Sequence, residues 1–360
     1  MKARIGALVL AACLMHACSD GSSDTTPDAA IVPDAGSGGD ASVPDGAGDT
    51  GGGAGQGGSD AGQGGSGGGL PPSGLRIVGY LGYDLASGVA LDQLTSGVWE
   101  VVQPTDPSDM TLVRVDGGDM GESAATLTAC QAAGIPCMFS LYTPWDEPAF
   151  NEVFTTPALS QELIDNIVTL MDTWGFDGVD LDWESDVQSN LDVTAFSQFV
   201  AELRTALPAG KIIGTASAPN KVTFDPSAAQ DFDYIGVMTY DVAPAATWYG
   251  TMDDVQSSMD LWADAGFPKD KLVLGISFAA RYATGGGWFS YASVVDQYDP
   301  APGDNAAGDL VFNGIDLVTE KAQWIEDNGF GGAFVYTVNL DKLNDPRSLL
   351  QHIYDTIGPQ

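Results

Sequence analysis

Nine residues, Phe176-Asp177-Gly178-Val179-Asp180-Leu181-Asp182-Trp183-Glu184, constrain the fold more than any other stretch of the chain. After a turn-forming Asp-Gly pair, apolar Val179, Leu181 and Trp183 alternate with acidic Asp180, Asp182 and Glu184. Successive side chains on a strand point to opposite faces. One face therefore buries three apolar groups while the other carries three carboxylates in file, roughly 6.5 to 7 Å between neighbours. Two unit charges at that spacing repel by about 2.5 kcal/mol at an effective dielectric of roughly 20. The repulsion is relieved if at least one carboxyl keeps a proton, which is how a general acid is held available near neutral pH. A solvated acidic edge strand would have polar surroundings. Here the flanking stretches 161–174 and 193–207 are helix-like. Helix-strand-helix order predicts a parallel strand covered on its outer side, with its C-terminal end open to chemistry.

The same alternation of elements runs through residues 76–360. Strands are expected at 77–80, 98–102, 137–141, along the carboxylate stretch, and at 211–215, 234–238, 272–276 and 332–338. A hairpin is expected around 112–115, and helices over 122–132, 159–173, 193–207, 251–265, 315–328 and 346–356. Eight short β-rich runs with helices between them are what an α/β protein of the (β/α)8 TIM barrel class requires. A doubly wound open sheet is the alternative, but no strand is followed by a glycine-rich dinucleotide fingerprint.

Residues 1–75 are of a different kind. Lys2 and Arg4 precede a short apolar run over 5–15, which reads as a secretory signal and is too short for a spanning helix. The run closes on Met15-His16-Ala17-Cys18, which resembles a lipoprotein cleavage site, with Cys18 as the lipid-attachment residue; Cys13 is a less favoured alternative, and an ordinary cleaved signal is another. Residues 1–17 are thus expected to be the signal peptide and 18–75 a linker. The linker is mostly Gly, Ser, Ala, Asp and Pro with no aromatic and no Lys or Arg, a composition expected to remain disordered. Such a tether holds its ends about 40 to 45 Å apart. The domains are then signal, linker and a catalytic barrel over 76–360. The chain is expected to be exported and either anchored in a bacterial envelope or secreted.

Charge and histidine content remove several functions. The chain carries a formal charge of −36; without residues 1–75, 11 basic side chains face 41 acidic ones, leaving −30. Nucleic acid and anionic lipid are disfavoured as partners, whereas a neutral or cationic polymer is permitted. Apart from a lipid anchor, then, no membrane contact is expected, and the protein is expected to act as a monomer. The two histidines are His16, within the signal, and His352, near the C-terminus. A Ser-His-Asp triad, a Cys-His dyad and a polyhistidine metal site are all disfavoured, and neither cofactor nor metal is expected. Cys130 and Cys137 are read either as a short-loop disulfide or as two buried thiols.

Asp177-Gly178-x-Asp180-x-Asp182-x-Glu184 resembles the DGxDxDxE signature of family 18 glycoside hydrolases, which include chitinases and endo-β-N-acetylglucosaminidases. Further strand ends resemble the same family. Met238-Thr239-Tyr240-Asp241 is like its MxYD, Leu274-Gly275-Ile276-Ser277-Phe278 through Arg281 like its seventh strand and following loop, and Gly331-Gly332-Ala333-Phe334-Val335-Tyr336 like its eighth strand. The resemblance implies a retaining, substrate-assisted hydrolysis of β-1,4-N-acetylglucosamine linkages. It makes Glu184 the general acid and base, and Asp182 the group that orients the substrate acetamide. Asp180 would share a proton with Asp182, and Tyr240 would hold the acetamido oxygen. Tyr80, Ser140, Met238, Asp241, Trp248, Arg281 and Tyr336 are the substrate-binding candidates, with Ser140 expected to hydrogen-bond the innermost carboxylate.

Two departures from the pattern matter. Tyr336 stands where chitinases usually place a tryptophan, and Ser140-Leu141-Tyr142-Thr143 lacks the glycines of the family's SxGG. The segment between the seventh and eighth strands is short for an inserted α+β domain, so a shallow cleft is expected. Trp145, Trp248 and Trp288 fall in loops suited to stacking on sugars, whereas Trp183 and Trp174 are expected to pack in the core. Three readings remain: a chitinase, an endo-β-N-acetylglucosaminidase acting on the chitobiose core of N-glycans, or a catalytically silent sugar-binding barrel.

Overall fold

A computed structural model describes residues 74–142, 148–183, 192–241 and 248–359. Eight parallel strands close on themselves. They are β1 (Arg76–Tyr80), β2 (Ser96–Asp106), β4 (Cys137–Tyr142), β5 (Gly178–Asp182), β6 (Ile212–Ser217), β7 (Ile235–Val237), β8 (Leu272–Ser277) and β13 (Gly332–Tyr336). They pair in chain order; β13 then pairs with β1 and β1 with β2, so no barrel edge is left open. The expected (β/α)8 barrel is therefore the fold. β3 (Asp109–Arg114) folds back antiparallel on β2, which is the expected hairpin.

Helices α1 (Ser123–Ala133), α2 (Pro157–Trp174), α3 (Val193–Ala206), α4 (Met252–Asp264), α6 (Ile315–Asn328) and α7 (Leu349–Ile357) lie close to their expected spans. Local chemistry sets their ends. Pro157 opens α2 and Gly175, at φ +84, stops it; the Asp192 carboxylate caps α3 by accepting from the Thr194 and Ala195 amides. The apolar face of the carboxylate strand is bound as its parity predicts. Val179, Leu181 and Trp183 are all buried, and Trp183 lies 4.4 Å, ring to ring, from Phe154. The strand packs under the Leu163, Ile164 and Ile167 face of α2 and the Phe196, Phe199 and Val200 face of α3. Each such side chain contributes about 1.5–3 kcal/mol on burial.

A second, inner cluster fills the barrel itself: Val78, Tyr80, Val98, Met138, Ile212, Tyr234, Met238, Tyr240, Val273 and Phe334 among others. The site is built on top of this plug.

Three details differ from or refine the sequence expectations. The segment between β8 and β13 holds a small antiparallel sheet of β9 (Ala279–Tyr282), β10 (Phe289–Ser290), β11 (Ala306–Ala307) and β12 (Leu310–Val311), together with α5 (Tyr291–Tyr298). Strands of two to four residues are too short to leave a periodic signal. Cys130 and Cys137 are buried free thiols, and the hydrogen bond between them, more than burial, pushes the Cys137 thiol well above its ordinary range.

The last helix begins at Leu349 rather than at 346, because its start is set from a distance. The buried Asp341 carboxylate accepts from Ser348 Oγ at 2.6 Å, Leu349 N at 2.8 Å and Leu350 N at 3.1 Å. It thereby satisfies first-turn amides that a helix cannot pair internally. Asp341→Ala leaves those donors buried and unpaired, and is expected to cost about 2 kcal/mol and lower the melting temperature of the full chain by about 3 °C. An unchanged thermal melt would show that Asp341 does not anchor α7.

Candidate active site

Strand parity carries Asp180 into the barrel, where it is fully buried between Ser140 of β4 and Gly214 of β6. Neither neighbour holds its carboxylate. Tyr80 OH donates to Oδ2 and Tyr234 OH to Oδ1, each at 2.6 Å. This corrects the role expected of Ser140. Its Oγ is buried and makes no hydrogen bond among the described residues; the donors to Asp180 are the phenols of Tyr80 and Tyr234. Burial raises the Asp180 carboxyl to about 6, and the two tyrosine hydrogen bonds restrain that rise. The same burial, with the Asp180 charge, lifts both phenols well above their ordinary range, so they remain protonated donors.

Tyr234 can reach Asp180 only because residue 214 is glycine. A Cβ there would stand 2.2 Å from Tyr234 Cζ and 2.4 Å from its hydroxyl. Tyr234 was absent from the sequence candidates, although it shares parity with Gly236, Met238 and Tyr240 along β7 and its extension. That periodicity was the available signal. Another residue the sequence reading passed over is Glu100 in β2, whose carboxyl is raised to about 8 by burial and then by the Asp180 charge.

Asp182, partly exposed, ends β5 opposite Tyr142. Glu184 lies outside the described residues, as do Cys18, Thr143 and Trp145. Above the plug, Tyr336 stacks nearly parallel to Tyr240 at 6.2 Å and meets Tyr80 edge-on at 5.7 Å. Phe334 supports both Tyr80 and Tyr240 from below, at 5.8 and 6.0 Å. Met238 is buried within this same inner cluster.

On the adjoining wall Arg281, in β9, donates to Asp241 at 2.7 Å. Its guanidinium sits 4.6 Å from the Trp288 ring centroid and 5.2 Å from that of Trp248. A delocalised cation between two indole faces is held by quadrupole attraction as well as by its ion pair. Asp241 takes a left-handed backbone, φ +56, and its amide donates to Trp248 O at 3.0 Å. Burial lifts its carboxyl to about 6 while Arg281 pulls it down.

The fold thus brings Asp182, Tyr80, Met238, Tyr240, Asp241, Trp248, Arg281 and Tyr336 to the C-terminal ends of the barrel strands or beyond them, with Asp180 and Ser140 buried within β5 and β4 beneath. Among the described residues no group of three His, Cys, Asp or Glu side chains is arranged to hold a metal. What the site offers is a buried carboxyl with a near-neutral pKa, a ring of aromatic faces and a paired Asp-Arg wall, a set suited to proton transfer.

The Asp180 titration has a definite sign. Its folded pKa exceeds the ordinary aspartate value of 3.8. Its stabilising contribution is therefore complete below that value and is lost as pH rises through about 6. Tyr234→Phe removes one donor to the carboxylate and should move the Asp180 titration up by about one pH unit, read by carbon NMR of labelled aspartate. Gly214→Ala, by displacing the ring, should move it the same way. A titration unmoved in both variants would rule out Tyr234 as the donor that tunes Asp180.

Comparison with known proteins agrees with this geometry. The model of glycosyl hydrolases family 18 matches residues 104–341. A probable endochitinase of Caenorhabditis elegans is 26% identical over 261 residues, 54% of this chain and 42% of that protein. Chitinase A1 of Niallia circulans is 27% identical over 221 residues, 50% of this chain and 31% of that protein. The chain thus spans well under half the length of these curated relatives. Among solved structures, a chitinase from Bacteroides thetaiotaomicron superposes with a TM-score of 0.71 at 20% identity, covering 79% of this chain and 97% of that one. Catalytic domain 2 of the Ostrinia furnacalis Group II chitinase, solved with a bound N-acetylchito-oligosaccharide, gives 0.65 at 18% identity, with coverage of 79% and 97%. The match to two-thirds of the chain, which includes the carboxylate strand and the aromatic wall, places this protein in glycoside hydrolase family 18.

Proposed function

We propose that this protein hydrolyses β-1,4 linkages between N-acetylglucosamine units, in chitin or its oligosaccharides, with retention at the anomeric carbon. The observation that carries the reading is the pair Asp180 and Asp182 in file on β5, a file the sequence continues to Glu184, with Tyr240 stacked on Tyr336 beyond the end of β7. Ordinary retaining glycosidases divide acid and nucleophile between two separated carboxyls; family 18 is a substrate-assisted exception. Glu184 protonates the departing glycosidic oxygen while the substrate's own acetamido carbonyl attacks the anomeric carbon. Asp182 orients that acetamide and offsets the charge of the cyclic intermediate. Tyr240 holds the acetamido oxygen from the opposite side. Glu184 then takes a proton from the incoming water.

Asp180 serves this cycle as the inner proton store. Held by Tyr80 and Tyr234, it changes charge around pH 6. It can thus take up or release the proton that Asp182 gives or needs. Asp241 and Arg281 contact sugar hydroxyls, Tyr336 floors the pocket of the sugar at the scissile bond, and Trp248 provides a stacking face. The Asp180 and Glu100 carboxyls both hold protons well above the ordinary range, which keeps a site crowded with acids from accumulating charge.

Tyr336, in place of the usual tryptophan, favours a second reading, an endo-β-N-acetylglucosaminidase that cuts the chitobiose core of N-glycans. Its narrower ring offers less stacking area. The N-terminal basic and apolar pattern supports export with Cys18 lipid-modified, residues 18–75 tethering a monomeric catalytic domain to the envelope.

Product analysis separates these readings. The full chain and its Glu184→Gln variant are incubated with N-acetylchitohexaose and with a high-mannose glycoprotein. Short N-acetylchito-oligomers, reduced by about 100- to 10,000-fold in the variant, identify the chitinase. Release of glycan that leaves one N-acetylglucosamine on the protein identifies the endoglycosidase. Binding of either substrate without cleavage would overturn the hydrolase reading in favour of a sugar-binding barrel.

A further inference from the structure

A buried lysine that no step of the proposed chemistry uses sits behind the Asp241-Arg281 wall. Lys321 projects from α6 and is fully buried, and among the described residues no carboxylate is in ion-pair contact with it. Its Nζ donates to Asn313 Oδ1 at 2.7 Å and to Tyr249 O at 3.0 Å. Asn313, equally buried, turns its Nδ2 to the same Tyr249 carbonyl at 3.1 Å and to Ser277 O at 2.8 Å. Four acceptor-donor contacts thus join α6, the end of β8 and the segment that returns from β7.

That segment is pinned elsewhere too. Gly250 has φ +69 and passes so close to β7's extension that a Cβ would stand 1.8 Å from Thr239 O. Thr239 Oγ1 in turn donates to Gly275 O at 2.7 Å. Immediately before Tyr249 comes Trp248, whose ring faces Arg281 and whose carbonyl accepts from the Asp241 amide at 3.0 Å.

A lysine taken out of water without a counter-ion is costly, and an apolar residue would fill the same space more cheaply. Burial pulls this ammonium down to about 7, with Asp254 and Glu320 opposing from a distance. Its neutral form has two N–H groups, matching its two acceptors. Such a group stays in a core when the carbonyl it holds must not move.

We propose that Lys321 and Asn313 are positioning residues for substrate binding, clamping the Tyr249 carbonyl so that Trp248, Asp241 and Arg281 keep the geometry of one sugar-binding wall. The proposal rests on the N-acetylglucosamine reading only for its substrate; the clamp itself is a statement about Trp248 and Asp241. Neither residue touches substrate. Its loss should weaken ground-state and transition-state binding alike, raising KM with little change in kcat.

The test uses the full chain with Lys321→Met, which keeps length and removes the donors, and with Asn313→Asp, which gives Lys321 a charged partner but removes both Nδ2 donors. Two readouts are needed. Hydrogen exchange, independent of any substrate, should accelerate by about tenfold at the Asp241 amide in both variants while the β5 amides keep their protection. KM for N-acetylchitohexaose should rise by about tenfold with kcat within about threefold of the parent, and the dissociation constant measured in a Glu184→Gln background should rise in parallel. Unchanged exchange at Asp241 in a folded variant overturns the clamp, whatever the substrate proves to be. Faster exchange with unchanged KM and dissociation constant, or a fall in kcat at constant KM, overturns its role in binding. If the parent protein neither binds nor cleaves the oligomer, the N-acetylglucosamine reading fails, and the exchange result alone decides whether the clamp exists.

Discussion

A carboxylate buried at the centre of a closed barrel must be either protonated or surrounded by donors, and the architecture around Asp180 supplies both in part. Its two oxygens each accept a 2.6 Å hydrogen bond, from Tyr80 on one side and Tyr234 on the other. Burial then outweighs those bonds and leaves the group poised near pH 6 rather than fully ionised. The requirement spreads outward through the structure. Tyr234 needs the space that Gly214 leaves empty, Tyr80 leans against Phe334 and Tyr336, and Phe334 also carries Tyr240. The inner plug is thus a foundation for one charge as much as a hydrophobic core.

The outer wall obeys a different rule. Asp241, Arg281, Trp248 and Trp288 come from three separate loops or short strands, and no regular element holds them together. Irregular backbone in a buried place must have its polar groups paired. The pairing here is made by side chains, Asn313 and Lys321, that reach in from the next repeat of the barrel. A buried amine is tolerated in the core because the alternative is an unsatisfied carbonyl at Tyr249.

Acidity is the common electrostatic theme. The chain's formal charge is −36; Asp180 and Asp182 lie along β5, Glu100 is near enough to feel the Asp180 charge, and Asp241 follows β7. Three of these carboxyls, Glu100, Asp180 and Asp241, are raised toward neutrality by burial, so the site binds protons instead of accumulating anions. Such a cleft suits a neutral, proton-accepting substrate and repels polyanions.

Much of this was legible in the sequence because it depends on local periodicity. The two-residue repeat of a strand assigns Val179, Leu181 and Trp183 to the helices and Asp180 to the interior, whatever the rest of the chain does. Eight such units in succession imply a barrel, and chemistry then falls at their C-terminal ends, where Tyr240, Asp241 and Tyr336 were already visible. What periodicity cannot supply is the choice of partner. Ser140, nearest to Asp180 in register, looked like its donor, yet Tyr80 and Tyr234, 100 and 54 residues away along the chain, took that place. Lys321 and Asn313 lay in a helix and its approach with nothing local to mark them. The sequence by itself determined which face each residue occupies. Only the tertiary structure decided which groups meet across the barrel, because that depends on strand stagger and on where a missing Cβ, as at Gly214, leaves a long side chain room to cross.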